Sequence, residues 1–321
     1  MLARQLAPPF GHGLPSAACL PRGTGRHCQG HLCRASLINT SQVRGNSREK
    51  RVPCVVVPGF LNGASSYKEL AHNLRTLGSP VEVVPISKFD WYPTLGGAPF
   101  DKLLDKMEDS VLRMHTEHGS LALVCHSAGG FLARILLGSH VYNGRQYGHA
   151  PLVSTVVTLG TPHQSLEAYP FGRVPEVRTD EANEDMPEAA RGSSLQYANH
   201  FYPRGDSFSL TTSMACVAGR CIQGEEISLS GIAGKLLMDP GLLAPTLEKL
   251  FAFSSYKANC GRGDVWGDGV TPVECAHLAG AENLVMDGVW HSPGSRGQWY
   301  GSLEVAADWS AQLLSARSLR G

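Results

Sequence analysis

The 321-residue chain contains no run of 18 or more apolar residues. A membrane-crossing helix needs about that length, so no transmembrane segment is expected. No predicted helix carries H-x-x-x-H or H-E-x-x-H, although there are 13 His. The sequence therefore offers no metal site and calls for no cofactor. Cysteine is scattered. Three of the nine, Cys19, Cys28 and Cys33, fall in the first 48 residues, and the other six are Cys54, Cys125, Cys216, Cys221, Cys260 and Cys275. They form neither a disulfide framework nor a zinc spacing. Cys216 and Cys221 are close enough to bridge but are expected as reduced thiols.

Acidic residues are missing from one region altogether. Residues 1–48 contain six Arg and no Asp or Glu. The chain's 28 basic residues less those six leave 22, against 28 acidic residues, in 49–321. A mildly acidic body gives no reason to expect nucleic-acid binding. The leader also lacks the apolar stretch of a secretory signal. Its Arg, Ser, Gly, Pro and Ala read as an organelle transit peptide. Leu32-Cys33-Arg34-Ala35-Ser36, and the absence of a basic helical face, favour a chloroplast destination over a mitochondrion. A disordered tail on a cytoplasmic protein is the other reading. Residues 49–321 form the expected folded domain.

From residue 52 onward, strands and helices alternate. Val52–Val57 is a short, continuous apolar run that ends at Pro58-Gly59, as a buried parallel strand would. Ser66-Tyr67-Lys68-Glu69 has the S-x-x-E capping pattern. Tyr67, Leu70, Leu74 and Leu77 follow on one helical face, and Gly78 stops the helix. Val81–Ile86 reads as a strand. Phe100, Leu103, Leu104, Met107, Val111 and Met114 have the spacing of an amphipathic helix. Leu121–Cys125 and Leu152–Leu159 read as strands, with a helix over Ala128–Leu137 between them. Glu282–Met286 reads as a last strand and Gln298–Leu314 as a last helix. This alternation predicts an α/β fold, a mostly parallel sheet with helices on both faces. The rhythm breaks over about 164–255, which predicts an inserted cap or lid. Within it, Pro175–Ser194 reads as an exposed acidic loop. The apolar stretch Gly231–Phe253 reads either as core helices or as part of a lid over an apolar pocket.

One constellation carries chemistry. A Ser hydroxyl is a poor nucleophile at neutral pH and needs a base, an orienting acid and oxyanion donors. Cys125-His126-Ser127-Ala128-Gly129-Gly130 sets Ser127 at a strand-to-helix turn, with Cys125 at the first position of a G-x-S-x-G pattern. The base is expected late in the chain, after the acid. His291 follows the last strand, and Asp268 lies in the Gly-flanked Trp266-Gly267-Asp268-Gly269. Asp264 is the main rival, and Asp287 sits too near His291. Backbone N–H groups of Phe60 and Ala128 are the expected oxyanion donors. His126 and His163 are assigned structural roles.

Pro58-Gly59-Phe60, Cys125–Gly130, Leu159-Gly160-Thr161-Pro162-His163, Gly267–Pro272 and Trp290-His291-Ser292-Pro293 together resemble lipase-like α/β-hydrolases. The nearer likeness is to a plastid and cyanobacterial group, distantly similar to GPI inositol-deacylases. It covers about 52–312. The resemblance implies an α/β-hydrolase fold, a Ser127-Asp268-His291 triad, and small-molecule or lipid esters as substrates. Peripheral membrane contact through the cap is a separate expectation. An acyltransferase using the same triad, or a non-catalytic binding protein on this fold, are the alternatives.

Overall fold

The computed structural model describes residues 51–166, 193–208, 211–228, 231 and 239–314. The expected transit peptide, nearly all of the expected acidic loop and part of the 231–253 stretch lie outside the described residues.

Six strands form one parallel sheet. They are β1 (Cys54–Val57), β2 (Val81–Val83), β3 (Leu121–His126), β4 (Val153–Leu159), β5 (Ser213–Arg220) and β6 (Glu282–Asp287). Their order across the sheet is β2-β1-β3-β4-β5-β6, and every pairing is parallel. The longer helices among the described residues are α1 (Lys68–Thr76), α2 (Asp101–His118), α3 (Gly129–Leu137), α4 (Ser194–Phe201), α5 (Leu243–Cys260) and α6 (Leu303–Leu313).

Period-2 alternation divides the strand side chains between two cores. Val55, Val57, Leu123 and Cys125 face α2, α3 and α4. Val56, Ala122, Val124 and Leu159 face α1 and α6 on the other side. Strands buried on both faces need continuous apolar runs, and all residues of β1 and β3 are buried. On α2 the apolar series from Leu103 to Met114 is buried, and the helix stops at Gly119, which has a φ of 81°.

Several boundaries differ from expectation. The S-x-x-E pattern does not cap α1; Ser66 lies in a 3-10 turn and the Glu69 carboxylate accepts from Trp299 Nε1 at 2.7 Å. A capping box does form at Ser87 and Asp90. The last helix starts at Leu303 rather than Gln298, because Trp299 and Tyr300 are buried under the sheet ends.

The largest correction concerns the expected 164–255 insertion, which is not one block. It contains β5, a central strand between β4 and β6, and α4, which packs on the core. The described residues between 224 and 265 form a separate excursion. Ile222–Gln223 pairs antiparallel with Trp266–Gly267 and brings the chain back to where it left the sheet. This excursion carries α5, whose Leu247 and Phe251 are exposed while Ala252 and Tyr256 are buried.

β1 leads to α1 on one face while β3 leads to α3 on the other. Adjacent strands whose connections diverge leave a crevice at their carboxyl ends, the usual ligand position in open α/β sheets.

Candidate active site

Ser127 sits at that crevice, directly after β3. Its φ of 50° is in the left-handed region, one of three non-glycine cases among the described residues. For an L-residue this conformation costs ~1–2 kcal/mol, so the surroundings must impose it. The Ser127 N–H donates to Leu159 O at 2.9 Å, and its carbonyl accepts from Gly130 N at 3.0 Å. The same carbonyl accepts from Thr161 Oγ1 at 2.7 Å. Small neighbours make the turn possible. A Cβ on Gly129 would lie 2.8 Å from Val57 O, and one on Gly59 would lie 2.9 Å from Ser127 Cβ. One on Gly130 would overlap the Thr161 side chain. Cys125 is under no such constraint. Its side chain enters the core on the α2 and α3 face, and burial raises its thiol pKa above the ordinary range. The departure from G-x-S-x-G therefore falls where a side chain fits.

Asp268 follows the short antiparallel pair that closes the 224–265 excursion, which delivers it to the carboxyl end of β5. That end is small by necessity, since a Cβ on Gly219 would lie 2.9 Å from Asp268 Cβ. The carboxylate is fully used. Oδ1 accepts from Val270 N at 3.0 Å and Thr271 N at 2.7 Å. Oδ2 accepts from His291 Nδ1 and from the Tyr300 hydroxyl, each at 2.7 Å. Burial by itself would raise this carboxyl. The His291 charge and hydrogen bond, with those from Thr271 and Tyr300, outweigh it and hold the group below its ordinary range. The rivals are elsewhere: Asp264 is exposed, and Asp287 is exposed and pairs with Arg220 at 2.6 Å.

His291 is bound to Asp268 a second time, its backbone N–H donating to Asp268 O at 2.9 Å. With Nδ1–H committed to the carboxylate, Nε2 of the neutral ring is left as the acceptor. The ring lies against His126, centroids 4.8 Å apart, and His126 immediately precedes Ser127. The structure thus gathers Ser127, His291 and Asp268 at one end of the sheet. Among the described residues no hydrogen bond joins Ser127 Oγ to His291 Nε2. Such contacts are often long before substrate binds.

α3 starts without a side-chain cap at Ala128, and its early Gly130 and Phe131 N–H groups donate to Ser127 O and Ala128 O, each at 3.0 Å. Phe60 follows Gly59 in the loop after β1, its ring edge-on to Trp91 at 5.5 Å. His163 is buried against Arg134 and Thr158. Burial and the Arg134 charge hold it well below the ordinary histidine range. Among the described residues no three His, Cys, Asp or Glu cluster as metal ligands, and no helix is long and apolar enough to cross a membrane.

Tyr67 reads in sequence only as an apolar helix-face residue, and Tyr256 and Tyr300 carry no motif. Each acts from a distant element through its hydroxyl, and a lone Tyr has no motif. Tyr256 on α5 accepts from Gly269 N at 2.8 Å and donates to Ile222 O at 3.2 Å, fixing the Asp268 loop.

The parallel sheet, its switch point and the strained serine turn define an α/β-hydrolase fold. Comparison with protein-family models and with curated proteins finds no match. Among solved structures, the chain is similar to Bacillus licheniformis lipase BlEst2 in mature form. The two share 17% identity over 83% of this chain and 93% of that one, with a TM-score of 0.48. It is also similar to Aspergillus fumigatus lipase B, at 11% identity over 53% of this chain and 38% of that one, with a TM-score of 0.34. A third is a structure from the metagenome-derived lipolytic enzymes LipS and LipT, at 13% identity over 37% and 45%, TM-score 0.30.

Proposed function

We propose that this protein is a serine hydrolase that cleaves carboxylic esters through an acyl-enzyme. The observation that carries the reading is the strained Ser127 at the end of β3, with His126 before it packed on a His291 whose Nδ1 is bonded to the buried Asp268. Ser127 Oγ attacks the ester carbonyl while His291 Nε2 takes its proton. Backbone N–H groups of Phe60 and Ala128 receive the oxyanion. His291 then protonates the leaving alcohol, and Asp268 keeps the imidazole oriented and stabilises its charged form. Water, activated by His291, releases the acid.

The acyl-lipid preference rests on exposed apolar side chains. Leu247 and Phe251 on α5, and Phe89, Tyr92 and Leu95 on the segment after β2, are all exposed. Such residues suit an acyl chain or a membrane surface better than a water-soluble ester.

Ser127→Ala should abolish hydrolysis of p-nitrophenyl acyl esters and labelling by a fluorophosphonate. Hydrolysis at the parental rate would refute the assignment. Absence of a Ser127-dependent adduct in the parent would favour a binding protein. Transfer of the acyl group to a competing alcohol in place of water would make it an acyltransferase. A series of acyl-chain lengths tests the lipid preference, and faster cleavage of short esters would sink it.

A further inference from the structure

His126 has both ring nitrogens bound inside the protein, one on each side of the site. Nε2 lies 2.8 Å from His291 O, and Nδ1 lies 2.7 Å from the Tyr67 hydroxyl. The Tyr67 oxygen in turn lies 2.8 Å from Gly59 N. Tyr67, His126 and Gly59 are all buried, so water does not compete for these groups. The direction of every bond follows from chemistry. A carbonyl can only accept, so His126 Nε2 carries the hydrogen. A backbone N–H can only donate, so the Tyr67 oxygen accepts from Gly59. The tyrosine hydrogen is then free to point at Nδ1, which is bare in the neutral ring. Burial, and next the charge His291 would carry, push the His126 pKa down to about 3, which keeps the ring neutral. The chain reads Gly59 N–H to Tyr67 O–H to His126 Nδ1, and His126 Nε2–H to His291 C=O.

The two ends of this chain matter. Gly59 precedes Phe60 in the loop after β1. His291 belongs to the loop after β6, at the far side of the sheet. No strand pairing links β1 to β6. We propose that His126 is a positioning residue: as its Nε2–H tautomer, held by Tyr67, it sets the oxyanion loop and the His291 loop at a fixed distance across Ser127. This inference rests on the proposed hydrolase reading for its catalytic consequence, though not for the hydrogen-bond chain itself. It also gives a reason for an uncharged residue there. An imidazolium at position 126 would carry a hydrogen on Nδ1, so it could no longer accept from the Tyr67 hydroxyl, and it would repel the imidazolium that forms on His291 during the reaction.

The test uses the full chain with Tyr67→Phe, His126→Leu, their double variant, and His126→Gln. A Gln amide can donate to His291 O and accept from Tyr67, so it preserves the chain. Tyr67→Phe and His126→Leu should each lower kcat about 10- to 100-fold with KM nearly unchanged, since a misplaced site loses transition-state geometry. The double variant should be no worse than about the poorer single, because both cut the same chain. His126→Gln should recover most of the lost kcat. Singles that leave kcat unchanged, losses that multiply, or a His126→Gln as poor as His126→Leu would overturn the proposal. Independently of activity, ¹⁵N-edited imidazole spectra at pH 7 should show His126 as a neutral Nε2–H ring, assigned by its loss in His126→Gln. In Tyr67→Phe the Nε2–H signal should persist, because His291 O still takes that hydrogen, while the Nδ1 resonance shifts with loss of the Tyr67 hydrogen bond. A neutral Nδ1–H ring in the parent would overturn the relay. If the relay signals hold but no variant or parent hydrolyses esters, the hydrolase reading fails and the hydrogen-bond chain stands.

Discussion

Asp268 and His291 are joined twice, side chain to side chain at 2.7 Å and backbone to backbone at 2.9 Å. The double link fixes both the distance between the loops and the rotation of the imidazole. It also makes the tautomer depend on the carboxylate.

Asp268→Asn tests that dependence. An amide nitrogen facing Nδ1 would favour the opposite tautomer and place a hydrogen on Nε2, where an acceptor is needed. The expected loss in kcat is ~10,000-fold with the fold intact. Asp264→Asn and Asp287→Asn, measured alongside by ester hydrolysis, should stay near the parental rate.

Tyr300→Phe tests the second donor on Asp268 Oδ2. It removes a hydrogen bond to a charged group, worth about 1.5–3 kcal/mol, and also strands Gly219 N–H, which donates to the tyrosine oxygen at 2.7 Å. The Asp268 pKa is depressed in the folded state. Its stabilisation is therefore complete above the unfolded carboxylate pKa of about 3.9 and is lost as pH falls through the lower folded value. Without Tyr300 the folded value rises, so the depression and the stability it supplies both shrink. Urea melts from pH 7 to pH 3 should show lower stability above about pH 4 and a smaller loss on acidification than in the parent.

Ser127→Gly should separate function from stability. Glycine relieves the left-handed strain at φ 50°, worth ~1–2 kcal/mol, against an entropic cost of ~0.5–1 kcal/mol. The variant should be inactive toward esters yet melt no lower than the parent. A drop of several degrees would mean that the turn is not strained.

Gly59→Ala and Cys125→Gly should behave in opposite ways to what the pentapeptide alone suggests. A Cβ at 59 meets His126 Nδ1 at 2.8 Å and Ser127 Cβ at 2.9 Å. Overpacking of this kind costs ~1–3 kcal/mol and should also reduce kcat. Cys125→Gly restores the commoner motif but empties a buried core position and adds chain entropy, so it should lower stability by ~1–2 kcal/mol without raising activity. Thermal melts and ester hydrolysis on both variants decide it.

Local pattern alone determined a good deal here. Short continuous apolar runs, β-branched in β1 and β4 and Leu- and Val-containing in β3, made these three strands readable. The 3- and 4-residue spacing of α2 made it a helix with one buried face. Ser127 and His291 could be named because each follows a recognisable strand, and Asp268 because it lies in a Gly-flanked loop between them in chain order. β5 was not readable: Ser213-Met214-Ala215-Cys216-Val217-Ala218-Gly219 is short of large β-branched residues. Its end must stay small because the Asp268 loop rests on it, a demand that exists only once the chain is folded. The same holds for what surrounds the site. Hydrogen bonds between side chains far apart in sequence leave no period and no motif. The Tyr67–His126–His291 and Tyr300–Asp268 hydrogen bonds form only when the sheet order brings the ends of β1, β3, β5 and β6 together.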